Sequence, residues 1–407
     1  MRRSLTALAL IAVGATACAP YQMATPPARG TASTAESTVD SSSPSASAES
    51  SVEESAAGQI ESIASCRAAA DALPEAQRIG QLFMVGVSTG GLDESTRSAI
   101  SMGSVGSVVL LGSSTASRDD IQMLTASLTS LGTVDAPMLV AVDQEGGTVQ
   151  RLKGVGFEPI PSAVEQGKLA DGELRDAAAV WGEQLREAGV HYDLAPVGDV
   201  VPAAKQRTNA PVGKLKRNYG NDAASVTRSV VEFVEGMQDA GIATSVKHFP
   251  GLGEVVTNTD FGAAQDTVTT ADSPNLEPFR AAIEAGVDSV MVSSAVFENI
   301  DPKNEGVFSS VVITDLLRGD LGYDGVVIAD DLGAAKSVRD VSPGDRALRF
   351  FDAGGDLVIN ANPAIMGDMI SATAERVAAD VDFAERVSAS AARVLALKAA
   401  AGLVDCD

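Results

Sequence analysis

Beyond residue 60, short apolar runs alternate with amphipathic stretches along the whole chain. Eight apolar runs are rich in Val, Leu, Ile and Met, and Gly, Pro, Ser or Asp bounds each of them. Continuous runs of this kind are typical of parallel strands that are buried on both faces. The predicted strands are Gln81–Val87, Val105–Leu111, Met138–Val142, His191–Ala195, Thr244–His248, Ser289–Val292, Gly325–Ala329 and Asp356–Ile359.

Between these strands, apolar residues recur at helical spacing. The predicted helices are Glu94–Met102, Asp119–Leu131, Leu174–Ala188, Asp222–Ala240, Leu276–Ala285, Ile313–Leu317 and Phe383–Ala401. Eight strand–helix units in about 340 residues predict an α/β protein with a (β/α)8 barrel. A doubly wound open sheet has the same periodicity, but the count of eight and the lack of a G-x-G-x-x-G turn favour the barrel.

The amino terminus has the pattern of an export signal. Arg2 and Arg3 precede the apolar run Leu5–Ala17, and small residues stand immediately before Cys18. This arrangement resembles a bacterial lipoprotein signal, in which the cysteine is lipidated, although Ala15 stands where that signal usually has Leu. The alternative is an ordinary signal peptide that is cut nearby. We expect an exported protein, either secreted or lipid-anchored through Cys18 to the outer face of the cytoplasmic membrane.

Composition then divides the rest of the chain in two. Residues 19–60 consist mainly of Ser, Thr, Ala, Pro and Glu, a mixture that cannot bury enough apolar surface to offset its ordering entropy. We therefore expect residues 1–18 to be the signal, residues 19–60 a disordered linker, and residues 61–407 a single barrel domain.

Charge and residue counts exclude several classes of function. The chain carries 54 acidic residues against 30 Lys and Arg, a net charge of −24, and such a surface repels nucleic acid. It has two histidines and three cysteines, too few for a zinc site of the His/Cys type, and no metal or other cofactor is expected. Apart from Cys18, the cysteines are Cys66 and Cys406, one near each end of the domain. In an oxidising compartment an even pair is a disulfide candidate, and two unrelated thiols are the alternative.

Polar residues follow most of the predicted strands. The third strand runs into Asp143, the fifth ends at Lys247 and His248, and the seventh is followed by Asp330 and Asp331. In a (β/α)8 barrel the active site forms where strands end and the following loops begin. A single strand-end Asp can simply cap the next helix, but the repetition over several strands favours a functional site.

Five motifs in this order resemble glycoside hydrolase family 3, in its single-barrel β-N-acetylglucosaminidase branch. They are V-D-Q-E-G-G-T-V-Q-R (Val142–Arg151), L-A-P-V-G-D-V (Leu194–Val200), K-R-N-Y-G (Lys216–Gly220), K-H-F-P-G-L-G (Lys247–Gly253) and V-I-A-D-D-L (Val327–Leu332). The resemblance covers about Gln81 to Glu375, which is most of the predicted barrel.

The resemblance implies a role for each matching residue. Asp330 matches the carboxylate nucleophile that forms a covalent glycosyl-enzyme, and Asp331 beside it is the alternative. Asp143 matches an acceptor of hydrogen bonds from the hydroxyls of the terminal sugar. Arg217, Lys247 and His248 match donors around the same ring, although a buried histidine can also serve only the core.

One position departs from the family pattern. Members of this branch carry Asp-x-His after K-H-F-P-G-x-G, where the His is the general acid/base, but this chain has Asn258, Thr259 and Asp260. Asp260 can take over as the acid/base, since a carboxylic acid with a raised pKa can protonate a glycosidic oxygen. Glu254 on the same loop is the second candidate. In the third account the protein binds sugar without cleaving it, or cleaves it slowly.

Other enzyme classes fit less well. Gly86–Gly90 reads G-x-S-x-G, as in serine hydrolases, but no histidine follows His248 to complete a triad. Trp181 lies in a predicted helix, where core packing is expected. The resemblance implies a retaining exo-glycosidase that releases terminal N-acetylglucosamine from cell-wall fragments or chito-oligosaccharides. A β-glucosidase of the same family, or a non-catalytic sugar-binding lipoprotein, remains the alternative.

Overall fold

Eight parallel strands form the centre of the protein, a computed structural model that describes residues 61–406. We number these barrel strands in chain order. They are β1 (Phe83–Ser88), β2 (Ser107–Leu111), β3 (Leu139–Val142), β4 (Tyr192–Asp193), β5 (Ala243–Phe249), β6 (Ser289–Val292), β7 (Val326–Ala329) and β8 (Val358–Asn360).

From β1 to β7, each barrel strand pairs with the next one along the chain, and all these pairings are parallel. β8 pairs with β1, where Phe83 lies opposite Val358. A bridge between Ile328 of β7 and Leu357, the residue before β8, joins the last two strands. The sheet therefore curves round into a barrel, which confirms the predicted (β/α)8 fold and excludes the open doubly wound sheet.

Helices cover the outside of the barrel. The helical segments are 61–72, Glu75–Gly80, Glu94–Gly103, Arg118–Thr129, Ala163–Gln166, Glu173–Glu187, Ala223–Asp239, Glu277–Glu284, Val311–Asp320, Pro343–Asp352, Met366–Ala379 and Val381–Ala400. Short strands in the loops form a hairpin, Gln144–Gly146 with Val149–Gln150. They also form a small sheet of Gln265–Asp266, Val296–Phe297 and Asp301–Glu305.

All eight predicted strands exist, and so do the seven predicted helices, with shifted ends. The fourth strand is shorter than predicted, and Pro196, which has no N–H to give to a ladder, follows soon after it. The segment predicted as Ile313–Leu317 is a π-helix, Val311–Asp320. The pattern missed the helix Pro343–Asp352, although Ser342 at its N-cap and Pro343 in its first turn are both start signals.

Alternate residues of the barrel strands face inward. Met84, Val109, Leu139 and Ile328 belong to one apolar cluster inside the barrel, together with Tyr192. Their neighbours along each strand belong to a second, larger cluster between the barrel and the helices. Trp181 lies in that outer layer, with its ring centroid 6.5 Å from that of Phe233, so its role in core packing is as predicted.

A lysine from the last helix closes the amino-terminal end of the barrel. Lys398 is fully buried, and its ammonium donates to Gln81 Oε1 (2.5 Å), the Gly106 carbonyl (2.8 Å) and the Pro137 carbonyl (2.6 Å). These three acceptors precede β1, β2 and β3. Burial lowers the pKa of Lys398 to about 7. One side chain thus ties three strand beginnings to the final helix.

A disulfide joins the two ends of the described chain. Cys66 lies in the helix at 61–72, and its sulfur is bonded to that of Cys406, with the two Cα atoms 4.8 Å apart. This is the pair that the cysteine count suggested. Within residues 61–406, none of the helices has the length and apolar character needed to cross a membrane. The predicted signal, Cys18 and linker lie outside the described residues.

We expect Cys66→Ser to lower the free energy of unfolding by about 2–5 kcal/mol, because the bridge restricts a very long loop of the unfolded chain. Chemical denaturation of the exported protein measures this, and peptide mass spectrometry without reductant should find the two cysteines linked. Wild-type stability in the variant, or two free thiols in exported material, would contradict the expectation.

Candidate active site

A pocket of about 520 Å³ opens where the barrel strands end. Its walls come from the loops that follow several strands, and its base includes Leu194, Met291 and Ile359 from the barrel interior. All six residues predicted for catalysis or sugar binding line it, namely Asp143, Arg217, Lys247, His248, Asp260 and Asp330. Residues that are far apart in the sequence therefore meet in one cavity, as expected for the carboxyl ends of barrel strands.

One side of the pocket is a network of four charged groups. Lys247 Nζ lies 2.7 Å from Asp143 Oδ1 and 2.7 Å from Glu145 Oε1. Arg217 grips the same Glu145 with two hydrogen bonds, from Nε to Oε2 (2.8 Å) and from Nη2 to Oε1 (2.7 Å). Two cations and two carboxylates are thus in direct contact, and a third cation, Arg151, has its Nη2 3.8 Å from Asp143 Oδ2. Lys247 and Glu145 are almost completely buried, while Asp143 remains partly open to the pocket.

Glu145 is the group on which this network converges. Burial alone would raise its pKa, but the Arg217 and Lys247 cations outweigh burial and hold the pKa of Glu145 well below its usual range. For Lys247, burial lowers the pKa, but the carboxylates of Asp143 and Glu145 raise it above the usual value. Glu145 therefore stays ionised and fixes the positions of both cations.

His248 is held in place by a buried carboxylate. Asp199 is fully buried, and its Oδ2 lies 2.8 Å from His248 Nδ1, while its Oδ1 accepts from the backbone N–H of Leu252 (2.7 Å). The remaining ring nitrogen, Nε2, lies 3.4 Å from Arg217 Nη2, beside the pocket. Asp199 thus sets the orientation of the ring and leaves Nε2 available for contact with a ligand.

The two adjacent aspartates after β7 have different surroundings. Asp331 Oδ1 accepts from the N–H groups of Gly333 (2.8 Å) and Ala361 (2.8 Å), and its Oδ2 accepts from Ala334 (2.9 Å). Asp331 is therefore engaged by the backbone of two loops. Asp330 accepts one backbone bond, from the N–H of Asp331 to Oδ1 (2.9 Å). Burial and the charge of Asp260 raise the pKa of Asp330, while His248 opposes this increase.

The two acid/base candidates lie in different places. Asp260 is exposed to solvent and lines the pocket together with Asp330. Glu254 is outside the lining residues and forms an ion pair with Lys205, which also donates to the Glu254 carbonyl (2.9 Å). The geometry therefore favours Asp260 over Glu254 as the second carboxylate of the site.

Asn209 connects the loop that carries Arg217 with the loop that carries Asp260. Its Nδ2 donates to the carbonyls of Leu252 (2.6 Å) and Val255 (2.9 Å), and its Oδ1 accepts from the backbone N–H groups of Val212 (3.0 Å) and Gly213 (2.7 Å). The side chain is fully buried. A single amide thereby fixes the bases of both loops relative to each other.

Sequence reasoning did not assign roles to Glu145, Asp199 or Asn209. Glu145 lies within the D-Q-E-G-G motif and Asp199 follows the fourth strand. Their positions in the sequence therefore indicated that both lie near the site. Nothing in the local sequence distinguishes Asn209 from an ordinary loop residue, because its contacts with the second loop, the carbonyls of residues 252, 253 and 255, are distant in the sequence. No group of three or more His, Cys, Asp or Glu side chains suited to a metal ion occurs between residues 61 and 406.

Comparison with known proteins gives a consistent answer. The model of the glycosyl hydrolase family 3 N-terminal domain matches residues 76–397. The chain belongs to glycosyl hydrolase family 3. As a family 3 hydrolase it is an enzyme that hydrolyses glycosidic bonds, and its barrel and strand-end pocket agree with that activity.

Among its relatives, the family 3 hydrolase is similar to a beta-hexosaminidase of Stenotrophomonas maltophilia, with 32% identity over 72% of this chain and 88% of the relative. A beta-hexosaminidase of Xylella fastidiosa is 36% identical over 67% of this chain and 81% of the relative. A solved structure of beta-N-acetylhexosaminidase from Beutenbergia cavernae has 44% identity and a TM-score of 0.79, covering 80% of this chain and 99% of that one.

We expect Glu145→Gln to raise KM by about 10- to 100-fold with a smaller change in kcat, because hydrogen bonds to a charged group contribute about 1.5–3 kcal/mol each. Steady-state kinetics on an aryl glycoside measures the two constants. Glu165→Gln is the matched control, since Glu165 is exposed and its ion pair is with Lys168, outside the pocket. If kcat falls instead, KM is unchanged and the protein is less stable, then Glu145 has a purely structural role.

Proposed function

We propose that this family 3 hydrolase is a retaining exo-β-N-acetylhexosaminidase, with Asp330 as its nucleophile and Asp260 as its acid/base. The observation that carries the proposal is the pairing of these two carboxylates in one pocket, while backbone N–H groups occupy both oxygens of Asp331. The names of the relatives support an acetamido sugar, since they are beta-hexosaminidases and beta-N-acetylhexosaminidases.

In the first step, an oxygen of Asp330 bonds to the anomeric carbon as the bond from that carbon to the leaving oxygen breaks. Asp260 in its acid form gives its proton to the leaving oxygen, so the aglycon departs as a neutral alcohol. The raised pKa of Asp330 reflects an anion that is poorly solvated, and formation of an ester neutralises it. His248 helps to keep Asp330 ionised before the reaction.

In the second step, water attacks the anomeric carbon of the glycosyl-enzyme. The Asp260 carboxylate removes a proton from that water, and the ester bond to Asp330 breaks. Both residues return to their initial states, and the sugar leaves with its original anomeric configuration. Asp260 is exposed in the free protein, so the bound substrate must cover Asp260 to shield it from water.

The charged network supports recognition of one terminal ring. Asp143 offers an acceptor to the pocket, and Arg217 and Lys247, fixed by Glu145, offer donors beside it. Sugar hydroxyls both donate and accept hydrogen bonds, so such a mixed set suits a non-reducing terminal residue. We take the substrates to be cell-wall fragments or chito-oligosaccharides ending in N-acetylglucosamine.

We further propose that the enzyme works in the cell envelope, tethered through lipidated Cys18 or secreted. The support is the apolar run Leu5–Ala17 before that cysteine, together with the disulfide of Cys66 and Cys406, a bond that persists in oxidising compartments. In this arrangement residues 19–60 connect the lipid anchor to the barrel domain.

We expect the protein to hydrolyse an aryl N-acetylglucosaminide in preference to the matching aryl glucoside, and Asp330→Asn to abolish turnover because no ester can form. A slow, activated fluoro-sugar should label Asp330, which peptide mass spectrometry locates. Label on Asp331 would overturn the assignment of the nucleophile. Preference for the glucoside would identify a β-glucosidase, and the absence of turnover on both substrates would favour a sugar-binding protein.

We expect Asp260→Asn to lower hydrolysis of natural disaccharides by roughly 10²–10⁴-fold, the usual contribution of a general acid. Activated aryl glycosides, whose leaving groups need no proton, should be far less affected in the glycosylation step, and azide should accelerate the slow second step. The negative charge of Asp260 raises the pKa of Asp330, so its removal should also shift the acidic limb of the aryl-glycoside pH profile to lower pH.

Glu254→Gln is the matched control for this experiment, because Glu254 lies on the same loop and pairs with Lys205. It should leave both substrate classes and the pH profile unchanged. If Glu254→Gln shows the leaving-group dependence and Asp260→Asn does not, Glu254 is the acid/base.

A further inference from the structure

Within residues 61–406, Phe261 is the exposed member of an otherwise buried set of aromatic side chains. It is 73% exposed, whereas the other ten phenylalanines, all within residues 61–406, are buried. A single exposed apolar residue is common on protein surfaces and by itself signals nothing. Phe261, however, lines the active-site pocket and directly follows Asp260 in the sequence.

The turn that carries this ring is anchored on several sides. Asn258 Oδ1 accepts from the N–H of Asp260 (2.9 Å), and the Asn258 carbonyl accepts from the N–H of Phe261 (3.0 Å). The carbonyl of Asp260 accepts from the N–H of Lys336 (3.3 Å), in the loop after β7 that begins with the nucleophile. The backbone on both sides of the ring is thus held at the pocket.

The position of Phe261 next to Asp260 places its ring near the leaving group of the proposed reaction. In the proposed reaction, Asp260 must reach the glycosidic oxygen, which is the atom that joins the terminal sugar to the rest of the substrate. A side chain one residue further along the same turn then lies beside the part of the substrate beyond that oxygen. The terminal sugar itself is bounded by the charged network on Asp143, Lys247 and Arg217.

We propose that Phe261 is the binding platform for the leaving group, and that it takes a second pyranose ring through the apolar C–H face of that ring. This inference rests on the proposed function. A phenyl face offers a large, rigid apolar surface to the C–H groups of a pyranose, and their close contact adds dispersion attraction. It also removes the phenyl group from water and covers the exposed side of Asp260, which excludes water from the acid during the first step.

The test measures binding without turnover, in the Asp330→Asn protein. Calorimetry compares a β-1,4-linked N-acetylglucosamine disaccharide with the monosaccharide N-acetylglucosamine. Adding Phe261→Ala should raise the Kd of the disaccharide by about three- to tenfold, because the apolar contact with its second ring is lost, and leave the Kd of the monosaccharide unchanged. Phe261→Trp should keep the affinity for the disaccharide, since it retains an aromatic face.

Val256→Ala is the matched control. Val256 is 60% exposed in the same loop but does not line the pocket, so its truncation should change neither Kd. If Phe261→Ala leaves the Kd of the disaccharide unchanged, or raises the Kd of both sugars equally, Phe261 is not the binding platform. The proposed function is unaffected by that result. If the Asp330→Asn parent binds neither sugar, the proposed function fails and the platform fails with it.

Discussion

The buried ion pairs around Glu145 are the interaction on which the rest of the site depends. Glu145 comes from the loop after β3, Arg217 from the loop after β4, and Lys247 from β5 itself. A buried charge without a partner is very unfavourable, so these three segments are stable only when they are together. The same attraction that assembles the pocket wall also presents Asp143, Arg217 and Lys247 to a ligand. The ion pairs that stabilise the folded loops are consequently the same contacts that position the groups proposed to bind the sugar.

The carboxylates after β7 show that chemistry is decided by surroundings rather than by residue type. Asp330 and Asp331 are identical in composition and adjacent in sequence. Asp331 accepts three backbone N–H groups and so links two loops, whereas Asp330 keeps an oxygen for the pocket. This division of labour is a property of the backbone path after β7. It places a rigid anchor, Asp331, directly beside the proposed nucleophile, Asp330, which keeps Asp330 in position.

The barrel could be predicted because its signal is local and repeated. Each strand has its own apolar run, and eight such runs leave few alternative folds, so the strand positions were found even where their ends shifted. The six candidate site residues were predicted from the motifs and the family resemblance, and the structure brings them into one pocket. The motif around Glu145 marked it as a site residue, but its role as an organiser was missed because Arg217 and Lys247 come from distant segments. Asn209 was missed because the carbonyls that it joins to its own loop lie more than 40 residues away. The exposure of Phe261 likewise follows only from the path of the turn at Asn258.

Lys398 has a consequence for the order in which the barrel can fold. The side chain of Gln81 and the carbonyls of Gly106 and Pro137 accept hydrogen bonds from an ammonium that follows Pro137 by 261 residues. During synthesis β1, β2 and β3 leave the ribosome long before Lys398 does, so the amino-terminal end of the barrel can close only after residue 398 has emerged. The bridge from Cys66 to Cys406, which spans 340 residues, obeys the same order. A fragment that stops short of Lys398 therefore lacks the side chain that ties these three strand beginnings together.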